Sequence, residues 1–413
     1  MRNRLEGLTR GNQFYAARRA EHATTDLLPF RISPTPFPLT SEQHSEIHRI
    51  GADVSDFFHA SDALYRDNDQ VRELLDRGKP EIFCDTDRPL NYLFVRPDLI
   101  ITDTGFTICE IETSPFGLGL AHLLTDGYNQ AGFETMVDPA ILAQHVQNGT
   151  EPTGEIVFSK KTDAYKGQLT YLAESVFGRD WTLRTVDDLN LDTQLYRAFY
   201  LSEYMDDPQV RLLVNGVAHD STKGLLPSLT PHLEEKAVLA LLWDRRFQER
   251  FRSQLGDATF NHLRQVIPPT WIVGEEAYFA PGMPEGIERS SQLASLAKSK
   301  RAFVLKTSGF HGASSWGEGV TFLHKKSGKS VAELFMGVEQ NLDTLHVVQE
   351  FHKPTELPMS YVFEDTVVTI GAKVRLTPYF SLQGKLLSIK ATGRQGTEFI
   401  HGSSDSINAA IGI

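Results

Sequence analysis

The stretch Arg96-Pro97-Asp98-Leu99-Ile100-Ile101-Thr102-Asp103-Thr104-Gly105-Phe106-Thr107-Ile108-Cys109-Glu110-Ile111-Glu112 decides how this chain is read. Asp103-Thr104-Gly105 is a hairpin turn signal between two apolar flanks. If the flanks pair as strands, side chains alternate with period two. Arg96 and Asp98 then share one face, and Glu110 and Glu112 share one face. A register that joins these faces sets three carboxylates and one guanidinium on a single sheet surface. Hard oxygen donors gathered this way suit Mg²⁺, which keeps several waters and takes the rest of its shell from carboxylates and substrate phosphates. A solvated hairpin with ordinary surface charges fits the same residues, so the rest of the chain must discriminate. Cys109, beside Glu110, is expected on the opposite face.

The chain has 413 residues, enough for two or three domains. Its 40% hydrophobic and 23% charged residues make a globular balance with ample material for a core. The net charge of -12 argues against a general nucleic-acid binder, which needs a basic face, but leaves room for ATP in a local basic pocket. The two cysteines, Cys84 and Cys109, cannot build a disulfide framework or a cysteine zinc site, so a reducing cytoplasm is the expected setting. No apolar run approaches the ~18 residues of a membrane span, and no apolar segment follows the N-terminus as in a signal peptide.

Residues 1–38 are polar and then proline-rich, and read as an arm over the surface. Thr40 with Gln43 makes a capping box, and Ile47, Ile50, Val54, Phe57 and Phe58 recur at helical spacing up to about Leu64. A second helix is expected over Asp69–Arg77. The hairpin spans 92–112 and leads through Gly117 and Gly119 into a helix near Leu120–Gln130. Residues 155–216 alternate: strand 155–158, helix Tyr165–Phe177 ending at Gly178, strand Trp181–Arg184, helix Asp192–Tyr204, strand Val210–Val214. Such alternation predicts an α/β layer with a mostly parallel sheet. It carries no G-x-G-x-x-G at its first turn, so a dinucleotide fold is not supported. Residues 232–266 read as helical, 267–273 as a strand, 290–299 as a helix, and the chain from Arg301 onward as mostly strands.

A second constellation lies in that last part. Phe303-Val304-Leu305-Lys306 is a buried-type strand ending in a lysine that can supply positive charge to phosphates. It enters a loop with Gly309, Gly312, Gly317 and Gly319, where the backbone can approach a ligand closely and turn N–H groups toward it. A flexible glycine-rich hairpin is the plainer reading, and the order is not that of a Walker A loop. Leu345–Phe351 is an apolar strand ending in Gln349-Glu350-Phe351, a segment able to act as a hinge whose backbone reads an adenine edge. Arg375 and Lys390 follow on two further strands. Lys306, Arg375 and Arg96 make a phosphate-sized set of cations, and Asp98, Glu110 and Glu112 a metal-sized set of anions.

Together these residues resemble the ATP-grasp superfamily in the circularly permuted arrangement of the glutathionylspermidine synthetase-like ligases. In that family an R-x-D strand is followed, after a hairpin, by E-x-N, which matches Arg96, Asp98, Glu110 and Glu112. The strand-end lysine and glycine-rich phosphate loop match Lys306 and Gly309–Gly319, and the hinge matches Gln349, Glu350 and Phe351. The carboxylates precede the phosphate loop, which is the permuted order. The fold class implied is α/β (α+β): two strand-rich lobes around the nucleotide and a small parallel-sheet pre-grasp domain. The boundaries implied are 1–80 for the N-terminal arm and helices, 81–150 for the metal-carboxylate part, 151–231 for the pre-grasp domain and 232–413 for the nucleotide lobes. One departure stands out: the family's metal asparagine is Glu112 here. The amidase domain of the bifunctional members has no counterpart, so a spermidine-linked activity does not carry over.

The resemblance implies ATP and Mg²⁺ as cofactors and ligation of a carboxylate to an amine through an acyl-phosphate. Asp98, Glu110 and Glu112 would hold the metal, while Arg96, Lys306 and Arg375 would stabilise the moving phosphoryl group. Lys390 and, before the nucleotide lobe, Arg245 are the remaining candidate ATP cations. The expected partners are small-molecule or peptide carboxylates and amines, with no nucleic acid and no membrane. An ATP-binding module without ligase activity and an ATP-dependent kinase on the same lobes remain as alternatives. His401–Asp405 either lines the substrate pocket or is a plain turn.

Overall fold

The computed structural model describes residues 30–188, 192–218, 224–279, 283–314, 317–363 and 366–413. The arm expected over residues 1–38 lies outside the described residues up to position 29. The described chain is mixed α and β, with strands β1 (Arg31–Ile32), β2 (Phe37–Pro38), β3 (Arg96–Thr102), β4 (Gly105–Glu112), β5 (Gly154–Phe158), β6 (Trp181–Thr185), β7 (Gln194–Ala198), β8 (Leu225–Leu226), β9 (Thr270–Ile272), β10 (Phe303–Thr307), β11 (Val320–Phe322), β12 (His346–Glu350), β13 (Glu356–Phe363), β14 (Thr366–Phe380), β15 (Leu386–Arg394) and β16 (Ile407–Gly412).

These strands form three sheets. The largest runs β1-β16-β15-β14-β3-β4, with β13 on β14 and β2 on β16. Its central pairings are antiparallel, and the 96–112 hairpin is one edge of a sheet built otherwise from the C-terminal strands β13–β16 and the short N-terminal strands β1 and β2. A second sheet, β11-β10-β12-β9, is antiparallel. The third, β6-β5-β7-β8, is parallel throughout, as the alternation of its segment implies.

Two elements within that parallel layer differ from the expectation. Residues 194–198 are strand β7, followed by a 3₁₀ turn at Leu201–Met205, where a helix over 192–204 was expected. Pro208–Ala218 is a helix where a strand over 210–214 was expected. The physical reason is one of window length. Val210, Leu213, Val214 and Val217 are buried and recur at i, i+3, i+4 and i+7, a helical stripe that a five-residue window cannot show. Elsewhere the differences are smaller. The capping box at Thr40 and Gln43 is formed, and the helix it opens is Ser41–Asp67. Residues 232–266 break into Ala237–Leu241 and Gln248–Val266, and 290–295 is a 3₁₀ segment. Gly328–Glu339 is a helix within the strand-rich region.

The long helix 41–67 and helix 248–266 pack together over the principal core. Between them His262 is nearly buried and sandwiched by two carboxylates: Asp53 contacts its Nδ1, and Glu46 Oε1 lies 2.7 Å from Nε2. Burial alone would lower the imidazole pKa, but hydrogen bonds to Asp53 and Glu46 overcome it and raise the pKa above its ordinary value. A folded-state pKa above the unfolded one stabilises the fold at pH below the unfolded value of ~6.5, and that contribution is lost as pH rises through the folded value. Thermal melts from pH 5.5 to 8.5 are therefore expected to show a falling midpoint that His262→Gln flattens. Parallel curves for the two proteins would reject this coupling.

Candidate functional site

The hairpin register pairs Arg96 with Glu112 and Asp98 with Glu110. One oxygen each from Asp98, Glu110 and Glu112 lies within 4.8 Å of the other two. A β-bulge follows, because Asp98 faces Glu110 while Leu99 already faces Ile108. Cys109 is the extra residue. The bulge breaks the alternation, so Cys109 lines the same cavity as the carboxylates instead of the opposite face expected for it. Burial pushes its thiol up to about 11, so it is protonated and unreactive at neutral pH.

The carboxylates are matched by Arg96 on the hairpin itself and by cations from two other parts of the chain, Arg375 and Lys236. Asp98, 1% exposed, accepts from Arg96 Nε at 2.8 Å and from Arg375 Nη1 at 2.6 Å. Arg96 also meets Glu112 Oε1 at 2.7 Å. Lys236 meets Glu110 Oε1 at 2.7 Å. Burial would raise the Asp98 pKa, but Arg375 and Arg96 outweigh it and hold the carboxyl below its ordinary value. At Glu112 burial wins: despite Arg96, and with Glu110 and Asp98 adding repulsion, its pKa is raised. A cation bound beside it would offset both the burial and the repulsion.

These groups line one cavity of about 530 Å³, within the usual size of a small-molecule site. Arg96, Asp98, Glu110, Glu112, Lys306, Gly309, Gly317, Gln349, Glu350, Phe351, Arg375 and Lys390 all reach it, so most of the residues singled out in the sequence come together. Val304, Val320, Phe322 and Phe351 form an apolar end, with Phe322 edge-on to Phe351 at 5.3 Å. At the hinge, the backbone N–H groups of Glu350 and Phe351 already donate to Pro269 and Ala302. An adenine edge would therefore be read by carbonyls and by residues beyond Phe351. Gln349 is buried and holds Lys306 in place, accepting from its Nζ at 2.7 Å while donating to Thr270 Oγ1 at 3.0 Å. Lys306 also donates to Cys109 O at 2.6 Å, and burial holds its pKa below the ordinary value.

The glycine loop is pinned across this cavity. Gly309 N–H donates to Glu235, whose other oxygen pairs with fully buried Lys79 at 2.8 Å. Lys236 donates to Ser314 O at 2.9 Å. Gly317 has φ +76 and lies flat on Phe399, so a Cβ there would fall 1.8 Å from the ring. Gly312 and Gly319 do not reach the cavity wall; Gly319 is packed against Thr307. His401–Ser404 do line the cavity.

Arg245 is a correction. It folds back on the 277–279 turn, its Nη2 donating to the carbonyls of Ala277 and Phe279 at 3.2 Å, outside the cavity lining. The cation the cavity receives from this region is Lys236, which the sequence reading missed. Its one signal is the charged trio Glu234-Glu235-Lys236 set directly before the apolar run Ala237–Leu242. Burial opposes its charge, but Glu110 raises its pKa, so it stays an ammonium.

No protein-family model and no curated protein matches this sequence. No described helix is long and apolar enough to cross a membrane. Among solved structures the chain is similar to a glutathione synthetase-like effector (GSS30) from Globodera pallida in its apo form, at 12% identity and a TM-score of 0.53, over 98% of this chain and 96% of that one. At that identity, what the two proteins share is the fold.

Proposed function

We propose that this chain is an ATP- and Mg²⁺-dependent carboxylate–amine ligase on an ATP-grasp scaffold, in the permuted order with the metal carboxylates ahead of the phosphate-loop strand. The observation that carries the reading is one cavity in which a trio of carboxylates, with oxygens within 4.8 Å of one another, meets Lys236, Lys306 and Arg375. Opposite metal ligands on one octahedral Mg²⁺ are ~4.2 Å apart, twice its ~2.1 Å bond length, so the donor set fits after small movements. Bound there, the metal would neutralise phosphate charge.

Charge arithmetic supports the same reading. Arg96, Arg375 and Lys236 balance Asp98, Glu110 and Glu112 one for one. With that cluster already balanced, a metal–nucleotide complex enters with less electrostatic penalty than a bare tetra-anion. The chain's own residues have distinct tasks. Lys306, held by Gln349 and the Cys109 carbonyl, offers a fixed positive charge to phosphate oxygens. Lys236, paired with Glu110 here, would be free to meet a phosphate oxygen if that carboxylate held a metal. Arg96 and Arg375, braced on Asp98, would stabilise charge on the moving phosphoryl group. The glycine loop, tied at Glu235 and Ser314, keeps water from an acyl-phosphate that hydrolyses readily.

The test is a titration of ATP with and without Mg²⁺ by calorimetry, then product analysis with hydroxylamine present to trap an acyl-phosphate. The expected result is Mg²⁺-dependent binding, with ADP, free phosphate and hydroxamate formed in equal amounts. A stable phosphorylated product with no hydroxamate would assign a kinase, and binding without turnover a nucleotide-binding module.

A further inference from the structure

Away from the cavity, two stretches of the chain carry cations and no acids. No Asp or Glu lies between Arg289 and Gly317, and none between Gly319 and Ala332. The first stretch holds Lys298, Lys300 and Arg301, and the second Lys325, Lys326 and Lys329. The chain as a whole has a net charge of -12, so this local excess runs against its composition.

The fold brings the two stretches together. The 3₁₀ turns Lys298–Lys300 and Leu323–Lys325 lie against each other, and helix Gly328–Glu339 packs on the Ser290–Ser295 segment that leads into the first turn. The approach is close at the helix start, where a Cβ on Gly328 would fall 2.7 Å from Ala294 O. Lys298, Lys300, Lys326 and Lys329 are exposed, and none of these cations lines the central cavity. Lys325 turns away to Glu398 at 2.8 Å, and Lys329 meets Glu333 only at 3.8 Å in solvent. Lys298, Lys300 and Lys326 have no ion pair among the described residues.

Arg301 separates this patch from an ordinary lysine-rich surface. Three arginines are buried among the described residues: Arg96, Arg197 and Arg301. Arg96 is paired with Asp98 and Glu112, and Arg197 with Glu234. Arg301, 4% exposed, has no carboxylate, and its buried Nε and Nη1 have no acceptor at all. It follows directly on the Lys298–Lys300 turn, its N–H closing that turn on Lys298 O at 3.3 Å. A guanidinium does not shed its proton in a protein. Water satisfies N–H groups but does not balance charge, so the site is short of a counter-ion.

The donors around it say which anion. Helix Gly328–Glu339 begins just beyond the second turn, and the first N–H groups of a helix, here those of Gly328 and Lys329, have no intrahelical partner. The helix also presents its positive end there. A single carboxylate would balance Arg301 and leave three lysines over. A phosphate carries nearly two charges and several oxygens in a small volume, so it meets a guanidinium, ammonium groups and backbone N–H together. A long polyanion would run off a patch of two turns onto an acidic protein. We propose that Arg301, Lys298, Lys300, Lys326 and the first turn of helix Gly328–Glu339 bind a phosphate dianion, free or as the phosphomonoester of a small molecule, at a site separate from the central cavity.

The site stands apart from the ligase chemistry, so its test reads binding and stability. Inorganic phosphate and glycerol 3-phosphate are titrated into the full chain by calorimetry, and thermal midpoints are compared with those in chloride at matched ionic strength. At least one of the two is expected to bind and to raise the wild-type midpoint, because a ligand held only by the folded chain stabilises it. Arg301→Met should lose the rise. Lys306→Met, which changes the central cavity, should keep it. The double variant Lys298→Met, Lys300→Met alters only exposed side chains, and its binding should weaken by about tenfold or more. That variant decides the matter if Arg301→Met does not fold. The proposal is overturned by no rise in the wild type, by a rise that survives Arg301→Met, by full affinity in the double variant, or by a rise lost in Lys306→Met, which would put the phosphate in the cavity. Binding of heparin with neither small phosphate bound overturns it too, in favour of a polyanion surface.

Discussion

Replacing Glu110 with alanine is expected to abolish Mg²⁺-dependent ATP binding while leaving the fold intact. The two halves of that result have separate causes. Glu110 is a quarter exposed, and its ion pair is with Lys236, which keeps the carbonyls of Ser308 and Ser314 when the carboxylate is removed. The loss in stability should therefore be about 1–3 kcal/mol, because Lys236 is buried but keeps two carbonyl acceptors. The donor set, in contrast, falls from three carboxylates to two, and the cluster changes from neutral to positive. Calorimetry of ATP with and without Mg²⁺ and a thermal melt measure the two effects independently. Wild-type Mg²⁺ dependence in this variant would mean that the trio is not a metal site.

Asp98→Ala should behave in the opposite way, with a large loss of stability. Asp98 is the floor of the cluster and carries both arginines, one on each oxygen. Its removal strands Arg96, which is 5% exposed, and Arg375 in the protein interior. Glu112 still meets Arg96, but the Arg375–Asp98 ion pair is lost. Breaking a buried pair from one side costs about 3–5 kcal/mol. Denaturant unfolding should therefore show a midpoint well below that of Glu110→Ala. A cost under about 1 kcal/mol would show that other groups or solvent compensate the two guanidiniums, and that Asp98 is present only for ligands.

The contrast shows how far the site could be read from the chain alone. The trio was legible as two like-faced pairs, Arg96 with Asp98 and Glu110 with Glu112, but joining those faces took the bulge at Cys109, since the turn register carried on unbroken would set Asp98 against Cys109. That Lys306 and Gln349 reach the cavity was legible because each stands near the end of a buried apolar strand. Cys109 was misplaced because a bulge is a one-residue event that composition does not announce. Arg245 was misassigned, and Lys236 overlooked, because both lie in a turn between short helices, where no period tells which charge faces inward. The helix at 208–218 was hidden in a window too short for its repeat.

Local periodicity and turn chemistry alone marked the two strands and turn of the carboxylate hairpin, the strand–helix–strand alternation over 154–185 and the lysine strand. Each is set by neighbours within about ten residues. Tertiary structure alone decided that Arg375, Lys236 and Lys390, far apart in sequence, stand around the same hairpin. It also decided which of them has a counter-ion. The reason is that an ion pair depends on distance in space. The packing of β14 and β15 against β3, and of the Glu234–Lys236 turn against Glu110, sets those distances through long-range contacts that no local pattern encodes.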